Sequence, residues 1–232
     1  MKLFCFPYAG GISTIYRGWD NLLVQSIDMV ALDFAGRGSR LAEIKYKSFS
    51  ENISDLYKIC DNEIKGQSFA FFGYSMGALI ALEMTQQLMK RNAIIPEHIF
   101  LAASNIPEIT KREFGTDVKN IEEKIISMGG IPDEILKNRK IRNYYMSLIK
   151  DDFKIMSQCE LTAEVFKIPC DISILYGKDD ETTKWADIRK WNQYCLKTCN
   201  YYAFEGGHFF INSNIKPIIE IINKVLANTD KL

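Results

Sequence analysis

The sequence predicts an α/β protein with a mostly parallel sheet and helices on both faces. Short apolar runs that end in turn residues alternate with longer segments of helical periodicity along the 232 residues. This alternation is typical of parallel sheets, because the crossover between two parallel strands usually carries a helix. The length of the chain and its 47% apolar residues suffice for a sizeable core. We therefore predict a single domain over residues 1–232.

The individual elements follow from hydrophobic pattern and turn signals. A helix is predicted to begin near Ser50 with an acidic first turn and to end near Lys65, and a last helix over 215–227 has Pro217 in its first turn, where a missing N–H is tolerated. A third helix is predicted after Gly77 and ends in basic residues near 90–92. The predicted strands are 2–6, 29–33, 68–72, 98–103, 172–176 and 200–204.

One segment interrupts this alternation. Residues from about 105 to 167 have a helical and charged pattern without a convincing strand. The segment is too long for a simple connection between two core strands. We predict that it is a helical insertion, which in an enzyme often forms a lid.

Composition excludes several classes of function. Lys+Arg and Asp+Glu both number 29, so the formal net charge is zero, whereas a nucleic-acid-binding protein is expected to be basic. No apolar run approaches the length of a membrane span, and Pro7 and Gly10 interrupt the first apolar stretch too early for a secretory signal. We expect a cytoplasmic protein that binds neither nucleic acid nor membrane.

The cysteines fit the same expectation. Six are scattered along the chain without a C-x-x-C pair, which is typical of reduced thiols. Cys195 and Cys199 are one helical turn apart, but no histidine accompanies them, so we predict no metal site and no cofactor.

The segment with the clearest chemical meaning is Gly73-Tyr74-Ser75-Met76-Gly77, which matches G-x-S-x-G. An apolar predicted strand precedes it and a predicted helix follows it. In such a nucleophile elbow the central serine is held on a strained turn, and glycines relieve the crowding around it. The turn also places the hydroxyl at a helix N-terminus, where negative charge is favoured. Ser75 is therefore the candidate nucleophile.

A serine nucleophile needs a general base, and the chain has two histidines. His98 lies at the N-terminal end of a predicted strand, whereas ligands of parallel sheets bind at the carboxyl ends of the strands. We therefore interpret it as a structural or a surface residue. His208 follows the last predicted strand, within Glu205-Gly206-Gly207-His208. It therefore lies at the same sheet edge as Ser75, and we predict that it is the base.

The acid that orients the base is expected between the serine and the histidine, at the end of a strand. Asp179 and Asp180 follow the predicted strand that ends at Gly177. We favour Asp180 because the turn after Gly177 directs the third residue back toward the histidine. The earlier strand ends in Ser104-Asn105 without a carboxylate, so the alternative acid position is unfilled.

Two backbone N–H groups are needed to stabilise the oxyanion of a tetrahedral intermediate. One is predicted to be that of Met76, directly after the nucleophile. The other is expected from the loop that follows the first strand, where Pro7 has no N–H and Tyr8 or Ala9 can donate. This loop lacks the G-x-G-x-x-G spacing of a dinucleotide site.

With these residues placed, the chain resembles type II thioesterases, the stand-alone hydrolases that accompany nonribosomal peptide and polyketide synthases in antibiotic biosynthesis. The Met-Gly-Gly-Ile-Pro segment lies inside the predicted insertion, where general hydrolases vary, and is the more specific marker. The matching segments, in the family's order along nearly the whole chain, are 5–11, 36–38, 72–78, 128–132, 176–180 and 206–210.

The resemblance implies an α/β-hydrolase fold with a helical lid and two-step hydrolysis through an acyl-Ser75 intermediate. It implies that the substrate is an acyl group on the phosphopantetheine arm of an acyl or peptidyl carrier domain of a synthase, with no cofactor of the enzyme's own. The family's triad falls on Ser75, Asp180 and His208, and its oxyanion donors fall on Met76 and Tyr8. We expect a monomer.

The elbow departs from the family at one residue. Family members usually carry histidine before the serine, where this chain has Tyr74. That residue is not a triad member, so we expect it to tune the pocket without loss of activity.

Two parts of the insertion have two interpretations each. The basic residues could meet an acidic carrier, but a solvated helix face is favoured. The apolar residues could line an acyl channel or could simply pack the lid on the core. The basic residues are Lys137, Arg139, Lys140 and Arg142, and the apolar ones are Tyr144, Tyr145, Met146, Leu148, Ile149, Phe153 and Met156.

Two alternatives to the thioesterase remain from the sequence alone. A general carboxylesterase or peptidase can use the same fold, since one scaffold supports many chemistries. A non-catalytic module that binds carrier domains is the second, although a complete Ser, Asp and His in the expected order disfavours it.

Overall fold

The computed structural model describes residues 1–64, 66–114, 121–131, 133–161 and 166–229. Its strands are β1 (Lys2–Phe6), β2 (Asp28–Ala31), β3 (Phe69–Tyr74), β4 (His98–Ala102), β5 (Asp171–Gly177) and β6 (Cys199–Phe204). They form one sheet with the order β2-β1-β3-β4-β5-β6, in which each described pair of neighbours is parallel. The predicted fold class, a parallel sheet flanked by helices, is confirmed.

The helices connect these strands. They are α1 (Phe49–Ile64), α2 (Met76–Lys90), α3 (Pro107–Phe114), α4 (Ile121–Ser127), α5 (Asp133–Lys137), α6 (Arg139–Met156), α7 (Trp185–Ile188) and α8 (Ile215–Thr229). The elbow strand β3 extends two residues beyond its predicted end, because Gly73 and Tyr74 still pair with Leu101 and Ala102 of β4. The predicted end of the first helix, Lys65, lies outside the described residues.

The predicted insertion corresponds to α3–α6, which lie between β4 and β5. Its residues 115–120, 132 and 162–165 lie outside the described part of the chain, and Pro132 of the Met-Gly-Gly-Ile-Pro segment is among them. The longest of these helices, α6, begins after Asn138, whose side chain accepts hydrogen bonds from the amides of Lys140 and Ile141 at 3.1 and 3.3 Å. This cap satisfies two amides that have no acceptor within the helix.

Both faces of the sheet are buried, as expected for central parallel strands. In β1, Phe4 and Phe6 face the core shared with α1, α2 and the lid, whereas Leu3 and Cys5 face the core that includes Trp19 and α8. Within the described ranges, none of the helices combines the length and apolar character needed to cross a bilayer.

Since the strands are parallel, the loops after β1, β3, β4, β5 and β6 meet at one edge of the sheet. His98 lies at the opposite edge, at the start of β4, where its Nε2 is 2.9 Å from Ser173 Oγ. It is buried rather than superficial, and burial lowers its pKa to about 4. His98 is thus a neutral core residue, far along its strand from the edge that carries Ser75.

Candidate active site

Ser75 lies on a sharp turn between β3 and α2. Its φ of 55° and ψ of −111° are strained for a residue with a side chain. Both flanking glycines are required by close backbone contacts: a Cβ on Gly73 would lie 2.3 Å from the Gly77 oxygen, and a Cβ on Gly77 would lie 2.1 Å from the Phe6 oxygen. The turn predicted from G-x-S-x-G therefore has the geometry of a nucleophile elbow.

The three residues predicted as a triad lie in one hydrogen-bonded series. His208 Nε2 is 3.2 Å from Ser75 Oγ, and His208 Nδ1 is 2.8 Å from Asp180 Oδ2. His208 and Asp180 are 6% and 5% exposed, so the pair is shielded from water. Asp179, the alternative acid, is exposed. The structure brings Ser75, His208 and Asp180 together in the order that a proton transfer requires.

Two threonines that sequence reasoning missed hold the Asp180 carboxylate. Thr182 donates to Oδ1 from its amide at 2.9 Å and from its hydroxyl at 2.6 Å, and the Thr183 hydroxyl donates to Oδ2 at 2.6 Å. Burial alone would raise the pKa of Asp180, but His208 and these hydroxyls lower it to about 2. Asp180 is therefore an ionised acceptor for the Nδ1 proton. A threonine two residues after an aspartate in a turn is a local signal that could have revealed this contact.

The proposed oxyanion donors frame an apolar cavity beside Ser75. Met76 is the first residue of α2, so its N–H has no acceptor within the helix. Tyr8 and Ala9 both line the cavity, so the choice between them as the second donor stays open. The cavity has a volume of about 30 Å³. The other lining residues are Ser75, Ile125, Met128, Tyr145, Ile149, Phe153, His208 and Phe209.

The apolar lid residues named in the sequence analysis fall into two groups, those that line a cavity beside Ser75 and those that only pack the lid on the core. Tyr145, Ile149 and Phe153 line the apolar cavity, and Met156 lines a second cavity that borders Ser75. Met146 and Leu148 are buried and line neither of these cavities. Tyr144 is 44% exposed, and its hydroxyl donates to the Gly36 carbonyl at 3.3 Å. The basic residues Lys137, Arg139 and Lys140 are exposed, and Arg142 pairs with Glu122.

A buried ion pair connects the lid to the loop that carries Tyr8 and Ala9. Arg37 donates to both carboxylate oxygens of Asp152 on α6, at 2.5 and 2.6 Å, and the Gly10 amide donates to Asp152 Oδ2 at 2.7 Å. The side chains of Arg37 and Asp152 are 4% and 2% exposed. Because α6 also forms a wall of the apolar cavity, Asp152 fixes this wall and the loop after β1 relative to each other. Sequence reasoning missed this contact, although Arg37 lies in the Gly36-Arg37-Gly38 segment.

Tyr74 is not a lining residue of the two described cavities that Ser75 borders, so the expected tuning of the pocket stays a prediction and would be indirect. It is fully buried at the end of β3, and its hydroxyl donates to the backbone carbonyl of His208 at 2.5 Å. The same oxygen accepts a hydrogen bond from the Ile211 amide at 3.4 Å. Tyr74 therefore holds the loop that carries the histidine through its hydroxyl, and its ring packs edge-on against that of Tyr8, a lining residue of the apolar cavity, with the ring centroids 6.0 Å apart.

Removal of this hydroxyl is expected to loosen the histidine loop. Tyr74→Phe keeps the ring in place but leaves the buried His208 carbonyl without its donor, which costs about 1–3 kcal/mol of unfolding free energy. We expect turnover to fall by up to about 10-fold at nearly constant KM, because only the placement of His208 changes. Chemical denaturation and steady-state kinetics measure the two effects. Tyr57→Phe on α1 is the matched control, and unchanged stability and turnover in Tyr74→Phe would contradict this role.

Among the residues that the structure describes, no group of three or more His, Cys, Asp or Glu side chains is arranged to hold a metal ion. A hydroxyl next to an imidazole, an ionised carboxylate behind that imidazole, and amides at a helix N-terminus are the parts needed for acyl transfer through a serine ester.

Comparison with known proteins assigns a family to this arrangement. The family model described as "Thioesterase domain" matches residues 1–226. Gramicidin S biosynthesis protein GrsT of Aneurinibacillus migulanus is 26% identical over 234 residues, which cover 97% of this chain and 89% of that protein. The medium-chain S-acyl fatty acid synthase thioesterase of Rattus norvegicus is 28% identical over 228 residues, which cover 90% and 81% of the two chains.

The fold also matches solved structures. The crystal structure of ClbQ from the colibactin NRPS/PKS pathway superposes with a TM-score of 0.88 at 22% identity, and the match covers 99% of this chain and 98% of that one. At this identity the likeness concerns the fold alone.

Proposed function

Since the chain belongs to the thioesterase domain family, we propose that it hydrolyses acyl thioesters on the phosphopantetheine arm of acyl or peptidyl carrier domains. The observation that carries the proposal is the series Ser75–His208–Asp180, which borders an apolar cavity within a chain matched by the family over residues 1–226. The name of GrsT, a gramicidin S biosynthesis protein, supports carrier domains of a nonribosomal peptide or polyketide synthase as partners. The role is editing or release of their acyl groups.

Acylation uses each part of the site once. Ser75 Oγ attacks the thioester carbonyl while His208 Nε2 takes the hydroxyl proton, and the ionised Asp180 stabilises the resulting imidazolium. The N–H groups of Met76 and Tyr8 are the proposed donors to the oxyanion. Collapse of the tetrahedral intermediate breaks the carbon–sulfur bond, and His208 gives its proton to the pantetheine sulfur. The products are acyl-Ser75 and the free thiol of the carrier.

Deacylation repeats this sequence with water. Water attacks the ester carbonyl while His208 Nε2 takes a proton, and the second collapse returns that proton to Ser75 Oγ. The free acid leaves, and the enzyme regains its starting state. The apolar walls formed by Tyr145, Ile149 and Phe153 exclude solvent from the acyl group during both steps.

A general esterase on the same fold is the alternative that needs a test. We would compare an acyl-phosphopantetheinyl carrier with an oxygen ester of the same acyl group and measure kcat/KM for both. The proposal predicts a clear preference for the carrier thioester. Equal or faster hydrolysis of the oxygen ester would favour a general esterase, and loss of acyl from none of a panel of carriers would contradict the proposal.

A further inference from the structure

A second cavity borders Ser75 and differs from the first in chemistry. We call it the polar recess. It has a volume of about 10 Å³, and it is lined by Ser75 and His208 together with one amide and several hydroxyl side chains, among them Asn105, Thr110 and Thr182, and with Ala103 and Met156 as its apolar members. In the apolar cavity, by contrast, aliphatic and aromatic side chains of the lid and of the loop after β1 form most of the wall. Ser75 and His208 border both, so the reacting groups lie between an apolar space and a polar one.

The Asn105 side chain has a fixed orientation in the polar recess. Its Nδ2 donates to the backbone carbonyl of Thr182 at 2.5 Å. A carbonyl can only accept, so the amide cannot be flipped without loss of this bond. Asn105 is 3% exposed, and its Oδ1 accepts no hydrogen bond from any residue within the described ranges. A buried amide oxygen without a donor is unusual and calls for a ligand or a water as its partner.

The dimensions of the polar recess match one water molecule. A buried water needs a space of roughly 10–15 Å³ and two to four polar partners. The recess has about 10 Å³ and offers Asn105 Oδ1, His208 and the hydroxyls of Thr110 and Thr182. An acyl chain is too large for this space, in which Ala103 and Met156 are the apolar lining residues.

We propose that the polar recess holds the water that hydrolyses acyl-Ser75, and that Asn105 Oδ1 accepts one of its hydrogens. The other hydrogen points to His208 Nε2, which is neutral once the thiol has left. The water oxygen forms the new bond to the acyl carbon, His208 takes the proton, and the ester bond to Ser75 Oγ then breaks as that oxygen regains the proton. Only water is consumed, and the acid is released.

Asn105 would thus be a catalytic residue of the second step alone. Attack by Ser75 on the substrate needs no water, so acylation does not depend on the Asn105 oxygen. This inference rests on the proposed acyl-Ser75 intermediate but not on the identity of the leaving group. Asn105 follows β4, where the sequence analysis considered an alternative position for the acid. In this proposal the residue at that position orients the nucleophilic water.

The test separates the two steps in pre-steady-state kinetics with 4-nitrophenyl acetate. The burst of nitrophenol reports acylation and counts active sites, and the following linear phase reports deacylation. In Asn105→Leu we expect the deacylation rate constant to fall at least about 10-fold and up to about 100-fold, with acylation changed less than about threefold. Acyl-Ser75 should then accumulate in the intact mass spectrum, whereas it is expected to be a minor species in the wild type.

Asn52→Leu is the matched control. Asn52 lies in α1, is 1% exposed, and its amide atoms also lack a hydrogen-bond partner among the described residues, but it does not line the polar recess. Its substitution should leave the ratio of the two rate constants unchanged. Asn105→Ala serves if the leucine variant folds poorly, because rate constants per active site do not depend on the folded fraction.

Two results would overturn the inference. Equal losses in acylation and deacylation would make Asn105 a merely structural residue, and an unchanged deacylation rate constant in both Asn105 variants would remove it from the reaction. A wild type that forms acetyl-Ser75 but releases no acyl group from carriers would contradict the proposed function and leave the Asn105 test intact.

Discussion

Ser75→Ala is expected to abolish thioester hydrolysis. The variant removes the oxygen that forms the acyl-enzyme. The other hydroxyl near His208, that of Thr182, lies 3.1 Å from Nδ1 and donates to Asp180, so it is on the acid side of the imidazole and not at the Nε2 that contacts Ser75. By analogy with other serine hydrolases, kcat should fall by roughly 10⁴- to 10⁶-fold, and the remainder should come from the oxyanion donors and substrate binding. Alanine replaces serine at the same strained φ of 55°, so the fold and substrate affinity should be kept.

The measurement is the release of free thiol from an acylated carrier, followed with a thiol-reactive dye. Ser50→Ala, an exposed position on α1, is the control for serine removal and should hydrolyse at the wild-type rate. Retention of more than a few per cent of activity by Ser75→Ala would mean that another group attacks the thioester.

Asp180→Asn is expected to have the next largest effect. The carboxylate accepts the Nδ1 proton of His208 at 2.8 Å and thereby leaves Nε2 free to accept the proton of Ser75. An amide at this position can present its NH2 to Nδ1 and favour the wrong tautomer, and it cannot stabilise the imidazolium. The corresponding substitution in a serine protease lowers kcat by about 10⁴-fold, and we expect a loss of the same order here.

The neighbouring Asp179 provides a matched control. It is exposed, so Asp179→Asn should leave turnover within about twofold of the wild type. The pair of variants also decides the choice of acid that sequence spacing favoured. A large loss in Asp179→Asn, with little change in Asp180→Asn, would reverse that assignment.

The contact between Asp180 and His208 also predicts how the unfolding free energy of the protein depends on pH. The pKa of Asp180 is lowered from 3.8 to about 2 in the folded protein, so the folded state binds the proton less readily than the unfolded state. The stabilisation by this carboxylate is therefore complete above about pH 4 and is lost as the pH falls toward 2. In acid titrations of unfolding free energy, the advantage of the wild type over Asp180→Asn should shrink across this window.

Chain order and strand ends were enough to predict the fold and the triad. The fold and the thioesterase family are confirmed, and the structure brings together the predicted Ser75, His208 and Asp180. The three residues come together because each follows a strand of a parallel sheet, and such strands end at a common edge. Their catalytic roles stay predictions. The glycines of the elbow could also be interpreted from the sequence, because the crowding that requires them arises between residues close together in the chain.

The contacts that sequence reasoning missed join distant parts of the chain. Asp152 is separated by 142 residues from Gly10 and by 115 from Arg37, and Tyr74 is separated by 134 from His208. No local periodicity marks such pairs, because they depend on how the lid and the histidine loop pack on the sheet. The role proposed for Asn105 was missed for a related reason. The sequence shows that the segment after β4 lacks a carboxylate, but it does not show the orientation of the Asn105 amide, which depends on its contact with Thr182.

The central claim is that Ser75 carries an acyl group taken from a carrier-bound thioester. The most direct measurement incubates the wild type and Ser75→Ala with a panel of acyl-phosphopantetheinyl carriers and follows both proteins by intact mass, with rapid acid quench. We predict that the wild type removes the acyl mass from at least one carrier and transiently gains it on the peptide that contains Ser75, whereas the variant does neither. Carriers that keep their acyl groups throughout, or an acyl adduct on another residue, would contradict the account.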